Sequence, residues 1–147
     1  MKVAVSAPDR FVAPYILDML GDAAVEIPPE AMEDQMTLDA LLTSCNAIVH
    51  INSKPTDSNF GRDDRETLLR MREQSRPILD AVDRHGELHL IIVGTLRVHP
   101  QWEPEGPYYG YDSTLAPRDT AAEGQLWMEE MALERAQAER PVSIIRA

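Results

Sequence analysis

The side chains able to do chemistry gather around two apolar segments and one aromatic loop. His50 lies near the end of NAIVHIN (46–52), His89 lies inside LHLIIVG (88–94), and His99 follows that second run. Imidazoles at such places can bind a metal or move a proton, because ligands collect at strand ends in open α/β sheets. A metal needs two or three converging side chains, and no His-Glu pair occurs. No metal is expected. Thr95 precedes His99 by four residues, a spacing that would make a local nucleophile–base pair only with unusual geometry across a strand end. The Gly-x-Ser-x-Gly elbow of a hydrolase is missing. The aromatic loop, Pro100–Pro117, holds Trp102, Tyr108, Tyr109 and Tyr111 among Glu103, Glu105 and Asp112. Ring faces beside carboxylates suit a sugar-like or cationic small molecule; the alternative is that the rings cover the edge of a sheet. Arg97 and Arg118 flank this loop as candidate carboxylate ligands.

These groups belong to a chain of 147 residues, 44% hydrophobic and 27% charged, which is long enough for one domain with a real core. We therefore expect a single domain over 1–147. The formal charge of −11 opposes phosphate backbones and anionic lipid, so no nucleic-acid or membrane partner is expected. Cys45 is the single cysteine, which rules out a disulfide framework and a cysteine metal site. With no apolar leader and no membrane-length apolar run, a cytoplasmic location is expected.

The elements that must position these residues alternate. MKVAVS (1–6) reads as a buried first strand, followed by helical spacing from Pro14 to Leu20 with Gly21 as its cap. Ala23–Ile27 reads as a second strand, Thr37 as the cap of a short helix through Leu42, and Asn46–Asn52 as a third strand. A helix from Asp63 to about His85 should kink or split at Pro77. Leu88–Gly94 is the fourth strand, a helix capped by Asp119 or Thr120 runs to about Glu139, and Val142–Arg146 is the last strand. Alternation of this kind predicts a Rossmann-like α/β three-layer sandwich with a mostly parallel sheet of about five strands.

The order of these strands resembles the extended short-chain dehydrogenase/reductase family, of the NAD-dependent epimerase/dehydratase type. The resemblance spans nearly the whole chain but only the nucleotide-binding part of the family. Asn46–His50 is similar to the family's fourth strand, Ile91–His99 to its fifth strand and following Ser/Thr segment, and Ser143–Arg146 to its sixth. It implies that Thr95 stands at the catalytic Ser/Thr position, with His99 in place of a common Tyr. It also places Ala7, Arg10, Phe11, Val12, His50 and Ile51 at vestigial cofactor-binding positions.

Three departures redirect the expected function. The phosphate loop, usually glycine-rich, is represented by Ala7, Arg10 and Ala13, with Pro8 lacking a donor and Asp9 repelling a pyrophosphate. A non-glycine residue forced to positive φ would cost roughly 1–2 kcal/mol. The family's Tyr, followed four residues later by Lys, has no counterpart: the only lysines are Lys2 and Lys54, and the equivalent positions fall near Ala122 and Leu126. Between Ile27 and Asn46 there is too little chain for helix, strand and helix, and Glu26, the candidate ribose ligand, is followed at once by Pro28 and Pro29. The expectation is a degenerate NAD(P)-binding fold acting as a non-catalytic binding or assembly subunit, with no cofactor. Two alternatives remain: an NAD(P)-dependent oxidoreductase or epimerase of a sugar-like substrate using Thr95 and Tyr111, and an inactive remnant.

Two helical segments carry more apolar residues than one sheet face requires. The first has Leu68, Leu69, Met71, Ile78, Leu79 and Val82, and the second Leu126, Trp127, Met131 and Leu133. In the resembling family such helices form the dimer interface, so a homodimer through 63–85 and 120–139 is expected, with Trp127 and Met131 as anchors. Glu123, Glu130 and Glu134 should face solvent.

Overall fold

Five short segments rich in Val, Ile and Leu pair into one parallel sheet with two helical layers. The computed structural model describes residues 1–6, 12–51, 64–100, 110, 112–137 and 139–146. In chain order the elements are β1 (Val3–Ser6), α1 (Ala13–Leu20), β2 (Ala24–Ile27), α2 (Gln35–Leu42), β3 (Ala47–Ile51), α3 (Asp64–Arg84), β4 (His89–Gly94), α4 (Thr120–Leu133) and β5 (Val142–Arg146). The sheet order is β2-β1-β3-β4-β5, all parallel. This is the expected Rossmann-like α/β fold.

The crossover from β1 runs to one side and the crossover from β2 returns over β1 to the other. Right-handed crossovers in opposite directions put their helices on opposite faces. Accordingly α1 packs on one face, where Ala13, Ile16 and Leu17 meet Val3, Val5, Val49 and Ile51. The other face carries α2, α3 and α4: Leu38, Leu42, Ile78, Val82 and Met128 cover Ala4, Ile48, Leu90 and Ile92. Each fully buried Ile or Leu of this layer contributes roughly 1.5–3 kcal/mol relative to exposure. β1 and β3 are buried on both faces, which explains their unbroken apolar character.

Local chemistry sets the helix ends, and here the structure corrects three expectations. Asp34 rather than Thr37 caps α2: its extended backbone lets the carboxylate accept from the N–H of Met36 and Thr37, at 3.3 and 3.2 Å. Thr37 donates its hydroxyl to the same carboxylate. Pro77 does not split α3, which runs unbroken past it because Met71, Ile78, Leu79 and Val82 on both sides of the proline are buried. α4 ends at Leu133, well short of Glu139: Arg135 turns back to donate to Met131 O at 2.8 Å, and the buried Arg140 holds the chain beyond, donating to Arg135 O at 2.8 Å and to Val82 O of α3 at 3.3 Å. The segment from Ile27 to Asn46 holds a 3-10 turn, Pro29–Met32, and α2, with no strand. Among the described residues no helix is long and apolar enough to cross a membrane.

α3 and α4 touch closely at Gly124, where an added Cβ would lie 2.6 Å from Met71 Sδ. Asp119 starts α4 by accepting from Ala122 N at 2.9 Å and also pairs with Arg97. Gly124→Val should destabilise the fold by about 1–3 kcal/mol through overpacking, and Asp119→Ala by about 1 kcal/mol through loss of the cap. Urea unfolding midpoints measure both; unchanged midpoints would contradict this packing.

Candidate binding site

β1 and β3 lie side by side where the strand order reverses, the place at which open α/β sheets gather ligands. Ser6 and His50, at the carboxyl ends of these strands, are register partners and each is 1% exposed. They share the sheet face of Ala4 and Ile48 and so point toward α3. Ser6 Oγ lies 2.9 Å from His50 Nδ1, and Ser75 Oγ of α3 lies 3.4 Å from Nε2. Ser75 has one hydroxyl proton, which goes to Met71 O at 3.0 Å, a better acceptor than Met128 Sδ at 3.2 Å. Ser75 then accepts from His50 Nε2–H, Nδ1 is left bare, and Ser6 donates to it. Burial pushes the His50 pKa down to about 4, so the ring is neutral at physiological pH.

Beside this pair opens a cavity of ≈ 490 Å³. Ile27 from the end of β2, Met32 from the 3-10 turn and Pro77 from α3 give it apolar walls. Glu33, Glu73 and Arg70 stand on its exposed rim. Arg70 is paired with Glu66 one turn away on α3.

A second polar cluster closes the end of β4. Gly94 approaches α4 so closely that an added Cβ would strike Glu129 Oε1 and lie 3.0 Å from Gln125 Nε2. Glu129 is 1% exposed, and its Oε2 accepts from Arg146 Nε at 3.0 Å and Nη2 at 2.7 Å. Gln125 Nε2 donates to Oε1 at 3.3 Å. Ala122 is buried and Leu126 half-buried, while the α4 side chains set against Gly94 are Gln125 and Glu129. Neither was singled out in the sequence. The available signal was a carboxylate four residues after Gln125 and three before Ala132, on the Ala, Gly and Met face of the helix.

The other candidates are placed as follows. Thr95 caps the 3-10 turn Leu96–Val98, its hydroxyl accepting from Arg97 N at 3.3 Å. His99 is buried, with Nδ1 3.2 Å from Thr114 O and Nε2 3.5 Å from Arg146 Nη1. Arg146 donates to Nε2, so Nδ1–H points at the carbonyl. Arg97 is engaged by Asp119, and Arg118 donates to His99 O at 3.0 Å and Pro100 O at 2.7 Å. His89 Nε2 lies 2.9 Å from Ser143 Oγ. Val12 precedes α1 without a side-chain cap, Ile51 is buried against α1, and Glu26 is exposed. Ala7, Arg10, Phe11, Tyr111 and the rings at 102, 108 and 109 lie outside the described residues. Among the described residues no group of three His, Cys, Asp or Glu side chains is arranged to hold a metal.

No family model and no curated relative matches the chain. Solved structures do. RMD from Pseudomonas aeruginosa, complexed with NADPH, superposes with a TM-score of 0.77 at 18% identity, over 99% of this chain and 53% of that one. A short-chain dehydrogenase/reductase superfamily protein from Agrobacterium tumefaciens with bound NAD gives 0.75 at 18%, over 99% and 48%. dTDP-glucose 4,6-dehydratase from Bacillus anthracis, in complex with NAD, gives 0.75 at 13%, over 99% and 54%. This chain shares their fold. It spans about half the length of each.

The buried His50 has a stability signature. Its folded pKa of about 4 lies below the unfolded value of about 6.5, so on acidification the unfolded chain takes up the proton first. This contribution is complete above about pH 6.5 and is lost toward pH 4, amounting to about 3 kcal/mol. Asp34 and Asp39, held low by their hydrogen bonds from Thr37 and Arg84, lose their contribution only below that window. Denaturant unfolding at pH 7 and 4.5 should therefore reveal a loss in the unmodified protein and a smaller one in His50→Gln. Equal losses would contradict the buried neutral ring.

Proposed function

We propose that this chain is a non-catalytic binding or assembly module built on a dinucleotide-binding fold. The observation that carries the reading is the face α4 turns to the end of β4. α4 contains neither Tyr nor Lys, and its side chains there are Gln125 and a buried Glu129 held by Arg146. A Tyr–Lys pair would supply a proton and a cation beside a cofactor; an amide and an ion-paired carboxylate supply neither. Breaking the pair to free Glu129 would cost about 3–5 kcal/mol. A positioned acid–base group contributes roughly 10²–10⁴ in rate, which this chain forgoes.

The residues present do not fit a nicotinamide dinucleotide. Ala7, Pro8 and Asp9 replace a glycine loop, and Glu33 and Glu73 face the strand-order reversal with negative charge. Calorimetric titration with NAD(H) and NADP(H) should detect no micromolar binding, and hydride transfer should stay at background. Micromolar affinity would replace this reading with that of an NAD(P)-dependent reductase or epimerase of a sugar-like substrate. The neighbours solved with NADPH and NAD favour that alternative. In it, Thr95→Ala and Tyr111→Phe should each abolish turnover.

The assembly part of the reading is a homodimer through α3 and α4. Met71, Ile78, Leu79 and Val82, counted above as surplus, are committed to the core, which narrows the candidate surface. Leu69 and Leu133 are 49% and 51% exposed, Trp127 is half-buried under the Arg72 guanidinium at 5.0 Å, and Met131 is half-buried against the core. Glu123, Glu130 and Glu134 are exposed. Sedimentation equilibrium should give a dimer that Leu69→Glu with Leu133→Glu converts to a folded monomer. A monomer at about hundred-micromolar concentration in the unmodified protein would remove the dimer.

A further inference from the structure

We propose that the cavity beside Ser6 and His50 binds a small molecule made of an apolar body and a protonated amine. This deepens the binding reading above by naming a ligand class.

Among the described residues, Ser6 gives the floor of the cavity a hydrogen-bond acceptor. Ser6 spends its one proton on His50 Nδ1, so the lone pairs left on Oγ can receive a hydrogen bond but not give one. Nε2–H is turned away, toward Ser75. The rim points the same way. Glu33 and Glu73 line it, and neither has an ion-pair partner among the described residues, whereas Arg70 is engaged by Glu66. Between these polar ends, Ile27, Met32 and Pro77 present hydrocarbon and thioether surface that gains by covering an apolar group. A ligand carboxylate or phosphate would meet a lone pair of Ser6 and the carboxylates of Glu33 and Glu73, against the Arg70 guanidinium that Glu66 already holds. An ammonium group would meet acceptors at both, in the field of a chain with formal charge −11. The volume of ≈ 490 Å³ suits a compact ring with a short side chain.

Cyclohexylamine, cyclohexanol and cyclohexanecarboxylate have the same body with a cationic, neutral or anionic group, and serve as probes at pH 7. In amide NMR titrations of the unmodified protein, the amine should shift Ser6, Ile27 and Gln74. It should bind about tenfold more tightly than the alcohol, with the carboxylate weakest. Glu33→Gln combined with Glu73→Gln, two exposed sites, should erase the preference for the amine while leaving the alcohol unchanged. Equal affinities, a tighter carboxylate, or shifts mapping away from the cavity would each overturn the proposal. NADPH added to the same samples separates the two claims. Micromolar NADPH binding with the amine preference intact overturns only the non-catalytic reading; no amine preference with NADPH silent overturns only this one.

Discussion

The hydrogen bond between Ser6 and His50 depends on the way the chain crosses itself, and much of the site depends on that bond. β1 and β3 become neighbours only because the crossover after β2 returns over β1. Their in-register pairing then sets a hydroxyl against an imidazole at the floor of the cavity, each 1% exposed. Burial in a low-dielectric interior makes an unmet polar group costly, so every proton in the Ser6–His50–Ser75 chain is assigned. That assignment fixes one tautomer of the ring and decides what the cavity offers a ligand.

The same economy governs the end of β4. A buried carboxylate is tolerated only when paired, and Glu129 has both oxygens occupied, by Arg146 and by Gln125. Arg146 also reaches His99, whose other nitrogen faces Thr114 O. β5, α4 and the segment after β4 are thereby tied into one polar network. The charges of Glu129 and Arg146 are spent on each other.

The sheet was largely legible in the sequence. Buried parallel strands must be continuous apolar runs, and NAIVHIN and LHLIIVG can be little else, so the strand bounds agree within two residues. The absence of a further strand between β2 and β3 followed from the shortness of the segment between Ile27 and Asn46. What escaped was settled by contacts distant in sequence. Pro77 counts against a helix locally, yet packing of its neighbours overrides it. The end of α4 is closed by Arg135 on Met131 O, which no helical periodicity reveals. Glu129 reads as one more solvated carboxylate until Arg146 arrives from β5. Ser75 carries no signal, since a serine inside a helix is ordinary and its histidine comes from another element.

The protonation state of His50 is the point on which the account turns. Two-bond proton–nitrogen correlation spectra of the imidazole rings at pH 7 report it directly. The account predicts a neutral ring for His50 with the proton on Nε2 and a bare Nδ1, persisting as the pH is lowered to about 5. A proton on Nδ1, or an imidazolium at pH 7, would contradict it, because Ser6 would then be free to donate into the cavity.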